Sequence, residues 1–115
     1  MANIYTNSKV DLTSTAETVV YTSPAAGTST TATTSIIKSI LVSEDSGNAD
    51  SITLTLTDTS SNVFSLFKTK TVSANATIEL LEQPIVLQES EVIKATAATG
   101  NRLHIVLSVL QINRE

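Results

Sequence analysis

Between Ser51 and Thr57 the chain alternates strictly, with Ile52, Leu54 and Leu56 at every second position and Ser51, Thr53, Thr55 and Thr57 between them. A period of two sends successive side chains to opposite faces of a strand, so this segment is a β-strand with one face in a core and the other in water. Just upstream, the run from Ile36 to Val42 is apolar on both faces. Ile36, Ile40 and Val42 share one side with Lys38, while Ile37 and Leu41 share the other with Ser39 and Ser43. Apolar residues on both faces indicate a strand covered on both sides. The polar loop between the two runs, Glu44 to Asp50, holds Gly47 and Asn48, residues that tolerate the positive φ of tight turns. Ser35 to Thr57 therefore reads as a β-hairpin.

The rest of the chain punctuates in the same style. Residues 1–16 read as an N-terminal arm followed by a short edge strand near Lys9 to Thr13, and residues 17–115 as a single β-sandwich domain. Glu17 to Thr22 is a short strand stopped by Ser23-Pro24, because proline lacks the ladder donor. Gly27 to Ser35 (GTSTTATTS) has no core residue and reads as an exposed loop. Further strands are expected over Val63 to Thr71, from near Ala76 to Glu82, over Ile85 to Leu87 and over Glu91 to Ala98, with Thr99-Gly100-Asn101 as a hairpin connection. The last run, Arg102 to Ile112, reads as the longest strand, with Leu103, Ile105, Leu107 and Val109 on one face and Val106, Leu110 and Ile112 on the other. Eight or nine short strands and no significant helix predict an all-β fold, an antiparallel β-sandwich of jelly-roll or immunoglobulin-like type.

Composition narrows the function classes. With 7 basic and 11 acidic residues the net charge is −4, and no basic block exists to replace counterions on a nucleic-acid backbone. The sequence shows no apolar run of membrane-spanning length and no signal-peptide pattern at its start, so no membrane partner is expected and the chain is expected to begin in a cytoplasm. Cysteine is absent, which removes disulfides, thiolate metal sites and cysteine nucleophiles together. Aromatics are only Tyr5, Tyr21, Phe64 and Phe67, so stacking platforms for sugars or bases are scarce.

Candidate chemistry is thin. His104 is the only histidine and lies in the period-two pattern of the last strand. No Gly-x-Ser-x-Gly elbow is present, and the glutamates fall at strand edges and turns, so no catalytic set, cofactor or enzyme class is expected. The loop Glu44, Asp45, Asn48, Asp50 is the one candidate for oxygen ligation of a cation, though it lacks the spacing of an EF-hand loop. The apolar residues on the second strand faces, Ile37, Leu41, Val106, Leu110 and Ile112, are candidates for a subunit interface, and Ile4 and Tyr5 for a contact made by the arm.

The phrases VVYTSPAAG (Val19 to Gly27), SIIKSILVSEDSGNADSITLTL (from Ser35) and TGNRLHIVLSVLQI (Thr99 to Ile112) resemble small virion proteins of tailed bacteriophages, those of marine cyanobacteria among them. The GTSTTATTS stretch departs from that pattern as an insertion. The resemblance implies a non-enzymatic virion part: a capsid decoration or cement protein, expected as a homotrimer bound to the major capsid protein or another virion protein. A neck, tail or baseplate module is the alternative it implies. A host-surface glycan-binding module is a third expectation, from a different class.

Overall fold

The computed structural model describes residues 2–24 and 32–114. It contains nine strands and no helix among these residues: β1 (Ala2–Leu12), β2 (Thr18–Thr22), β3 (Ala32–Glu44), β4 (Asp50–Thr57), β5 (Val63–Val72), β6 (Thr77–Glu79), β7 (Ile85–Leu87), β8 (Val92–Ala97) and β9 (Leu103–Arg114). The first sheet has the order β1-β9-β3-β6, with β7 also pairing β3, and the second has the order β2-β8-β4-β5. All pairings are antiparallel. The chain changes sheet at every connection except β4–β5 and β6–β7. This is the jelly-roll arrangement, with the edge strand beside β3 broken into β6 and β7 by Leu80 to Pro84. The all-β sandwich read from the sequence is therefore what forms, and of its two types the jelly roll.

Several sequence readings change. The segment from Ser35 to Thr57 is not a hairpin, because β3 and β4 lie in different sheets and do not pair. The same holds for β8 and β9 across Thr99-Gly100-Asn101. An alternating strand, a short polar loop and a second alternating strand can equally be an arch that carries the chain across the roughly 10 Å between packed sheets. The N-terminal segment is not an arm with a short strand: β1 begins at Ala2 and pairs β9 along its whole length, from Ala2↔Asn113 to Leu12↔Leu103. β3, at 13 residues, is longer than β9 at 12. The loop expected over Gly27 to Ser35 falls outside the described residues as far as position 31, and from Ala32 onward the chain is β3.

A further change bears on the candidate interface. The β3–β9 register shifts between Ile37 and Ser39, leaving Lys38 as an extra residue opposite the bond between Val109 and Ser108. A bulge reverses the facing of everything beyond it. Ile37, Ile40 and Val42 consequently all point inward and are fully buried, while Leu41 points out. Ile37 is a core residue and unavailable to a partner.

The core lies between the sheets. Leu12, Ile37, Ile40, Val42, Leu87 and the inward row of β9 (Leu103, Ile105, Leu107, Val109) face Val20, Ile52, Leu54, Ile93, Ala95 and Ala97 from the other sheet. It is aliphatic except at one end, where Tyr21 Oη accepts a hydrogen bond from Gln111 Nε2 at 2.8 Å and lies 2.8 Å from Ser35 Oγ, itself 2.8 Å from Ser23 Oγ. This buried polar chain ties β2 to β3 and β9 across the sandwich. Gly100 is fixed by space: a Cβ there would stand 2.6 Å from the carbonyl oxygen of Thr13. Next to it, Asn101 N–H donates to Leu12 O at 2.9 Å, locking the β8–β9 arch to the end of β1.

Candidate interaction surface

The outer face of the first sheet is a grid whose rows follow from strand register. One row runs Tyr5, Leu110, Ile36, Val86 across β1, β9, β3 and β7. A second runs Lys9, Val106, Leu41, Glu79 across β1, β9, β3 and β6. Ile112 lies beyond the first row, opposite Asn3 and Thr34. Of the eight exposed large apolar residues among those described, four stand on this face: Tyr5 at 77%, Val86 at 57%, Leu41 at 40% and Val106 at 37%. Ile36, Leu110 and Ile112 are half-buried by their neighbours on the same face. Between the apolar rows lies a shallow depression of about 430 Å³ lined by Tyr5, Asn7, Lys38 and Ser108, where small side chains lower the surface.

The structure thus brings together Leu41, Val106, Leu110, Ile112 and Tyr5 of the expected contact residues and sets Ile37 apart in the core. Ile4, the other residue assigned to an arm, sits on the inner side of β1 opposite Gln111, near the strand end, and is 44% exposed. Ile36, Val86 and Lys9 belong to the surface and escaped sequence reasoning. Ile36 was hidden by the bulge, and β7 is too short for its facing to be read.

Glu79 anchors one end of the second row. Its carboxylate accepts from Ile40 N–H at 2.7 Å, Leu81 N–H at 3.2 Å and the Ser39 hydroxyl, standing in for a strand partner where β6 has ended. Partial burial, which alone would raise its pKa, is outweighed by these donors, and the pKa is lowered.

The loop considered for a cation is organised otherwise. Glu44 is buried and turns inward, accepting from Ser46 N–H at 2.8 Å, Gly47 N–H at 3.1 Å, Asn75 N–H at 3.0 Å and the Ser46 hydroxyl. Burial on its own would raise this pKa, but the donors win and lower it to about 2. Asp50, also buried, accepts from Thr99 N–H at 3.1 Å. Asp45 points instead to His104, its Oδ2 being 3.5 Å from Nδ1, and Asn48 is exposed. The four oxygen-bearing residues do not converge, and among the described residues no cluster of three His, Asp or Glu is placed to hold a metal ion. His104 is held between Asp45 and Asp11, whose Oδ1 lies 3.2 Å from Nε2. The two carboxylates sit at opposite ring nitrogens, so one ion could not meet both.

A concavity of about 520 Å³ opens between β5 and the β6–β7 segment and is lined by Leu66, Phe67, Leu81 and Ile85 together with Lys70, Glu79 and Glu82. Of the two tyrosines, Tyr21 is buried with its hydroxyl engaged, leaving Tyr5 as the exposed one. Among the described residues no helix is long and apolar enough to cross a membrane.

Fold and surface together define a jelly-roll β-sandwich with one apolar outer sheet face. No protein-family model matches the chain, and no curated protein matches its sequence.

Proposed function

We propose that this chain is a non-enzymatic structural protein of a tailed-phage virion, a capsid decoration or cement protein that bridges neighbouring capsomers. The observation that carries the reading is the apolar grid on the outer face of the first sheet. A free-standing sandwich has no use for Tyr5, Leu110, Ile36 and Val86 in one continuous row facing water. The resemblance of the Val19–Gly27, Ser35 and Thr99–Ile112 phrases to small phage virion proteins supports the same reading, as does a fold widely used for capsid subunits, although a fold alone does not fix function.

The mechanism is adhesive. The apolar face packs against a neighbouring subunit, and β1, which ends its sheet, presents an open backbone edge for strand addition to an adjacent protein. Repetition over a symmetric shell then converts modest single contacts into durable attachment.

The test is co-sedimentation of the purified protein with capsids that lack it, measuring occupancy and the temperature at which the capsids rupture. Saturable binding with a rise in rupture temperature is expected, and Tyr5→Asp should reduce it. Absence of binding to such capsids would remove the proposal.

A further inference from the structure

The outer face carries opposite charges, Lys9 and Glu79, at the two ends of an apolar row, and we infer that two copies of this chain stack through it about a twofold axis running parallel to the strands, between β9 and β3. The inference rests on the reading of this face as a contact surface and adds the partner, the symmetry and the register.

The argument is geometric. A twofold axis lying in the contact plane along the strands exchanges left for right in every row and leaves each row opposite its own copy. In the second row Lys9 then meets Glu79 of the second copy, Glu79 meets Lys9, and Val106 and Leu41 meet each other between them. In the first row Leu110 packs on Ile36 and Tyr5 on Val86. The row beyond Lys9, Asp11-His104-Ser43-Thr77, is polar and meets itself at the rim, His104 opposite Ser43 and Asp11 opposite Thr77. Lys38, exposed at the bulge, comes opposite Ser108 of the second copy, with Asn7 on the next strand.

The other in-plane twofold, perpendicular to the strands, would press the Lys9 and Glu79 ends of one row onto the Tyr5 and Val86 ends of the other. That would set charges on apolar side chains without a partner, which is costly. A threefold ring needs two different complementary patches on each copy, whereas the apolar residues of this face form a single patch that matches itself. Glu79 is suited to the role, because its three donors hold the carboxylate ionised and in place at the sheet edge. The footprint is adequate. Four strands roughly 4.8 Å apart and about ten residues of roughly 3.3 Å give on the order of 600 Å² per copy, and twice that reaches the lower bound of a standard interface, about 1,200 Å² in total.

The experiment is absolute mass by light scattering across a concentration series, combined with zero-length carbodiimide coupling of amines to carboxylates. The expected mass is twice 12.1 kDa, about 24 kDa. Within one copy Lys9 and Glu79 are three strand spacings apart, about 14 Å, so a Lys9–Glu79 amide can join only two copies. That cross-link is expected in the dimer band.

Leu110→Asp, half-buried on the outer face and away from the core between the sheets, should weaken the dimer about tenfold or more while the monomer still unfolds cooperatively, with a melting temperature only a few degrees lower. Lys9→Glu, a side chain that among the described residues donates to exposed Asn7, should weaken the dimer at low salt and reverse the sign of its salt dependence. A monomer at every concentration, a trimer near 36 kDa (three times 12.1 kDa), or coupling that never joins Lys9 to Glu79 would each overturn the twofold pairing. The virion assignment is decided separately by capsid binding, so failure of one does not imply failure of the other.

Discussion

Replacing Ile37 by alanine tests the bulge at Lys38, because the bulge alone puts this side chain inside. Ile37 is fully buried, in contact with the aliphatic core and paired with Val109 on one side and Ile85 on the other. Truncation removes three carbons, about 2.4 kcal/mol at roughly 0.8 kcal/mol per buried methylene, and leaves a cavity that the surrounding strands fill only in part. A total near 3 kcal/mol follows, within the range of about 2–5 for such truncations. For 115 residues the unfolding entropy is about 0.24 kcal/mol/K at roughly 2.1 cal/mol/K per residue, so the melting temperature should fall by about 12 °C.

Leu41→Ala, one position past the next core residue but outward and 40% exposed, should cost the isolated fold less than about 1 kcal/mol. Urea titration of both variants, with unchanged m-values as the check on two-state behaviour, provides the comparison. If Ile37→Ala costs as little as Leu41→Ala, under about 1 kcal/mol, the two side chains share the outer face, the alternation runs unbroken through Lys38, and the assignment of the outer face is wrong.

Other consequences are as specific. Glu44 has a folded pKa near 2, below its ordinary value, so its contribution to stability is present above about pH 4.5 and is lost as pH falls toward 2; the melting temperature should drop through that window more steeply in the parent than in Glu44→Gln. Gly100→Ala forces a methyl to 2.6 Å from the Thr13 carbonyl oxygen and should destabilise by roughly 1–3 kcal/mol in urea titration. Tyr21→Phe leaves Ser35 and Gln111 without the hydroxyl they share and should cost about 1–3 kcal/mol, with Ser35→Ala in the same background adding less than it does alone. Removing divalent cations with a chelator should leave the melting temperature unmoved, since the carboxylates of the Glu44–Asp50 loop are occupied by N–H donors or by His104.

What the sequence disclosed and what it concealed divide along physical lines. The facing of Leu103, Ile105, Leu107 and Val109 was legible, and so was the exposure of Val106, because β9 runs without a bulge and its alternation is a faithful record of its faces. β3 concealed its faces for the opposite reason. One inserted residue let Ile37, Ile40 and Val42 share a side although their spacing is three and then two.

The arches read as hairpins because turn residues mark a reversal of direction and not the sheet in which the next strand lands. The distinguishing signal was present in Glu44 and Asp50. Glu44 folds inward to hold N–H groups of its own loop and Asp50 to hold Thr99 N–H of the neighbouring β8–β9 arch, so the two ends of the loop sit in different layers, where a hairpin would have carried both carboxylates outward. The same residues suggested a cation because a carboxylate that serves backbone donors looks, in a sequence, like one that awaits a metal. The contact surface was half legible: Leu41, Val106, Leu110 and Ile112 were named from periodicity, while Ile36, Val86, Lys9 and Glu79 joined them only through register.

The most direct measurement of the central claim is the copy number of this protein in purified particles of the phage proposed to carry it, by quantitative mass spectrometry against the major capsid protein. A decoration protein is expected at a fixed ratio to the capsid subunit, reaching hundreds of copies on a shell of many capsomers. A dozen copies or fewer would move it to the neck, tail or baseplate, and its absence from particles would contradict the account.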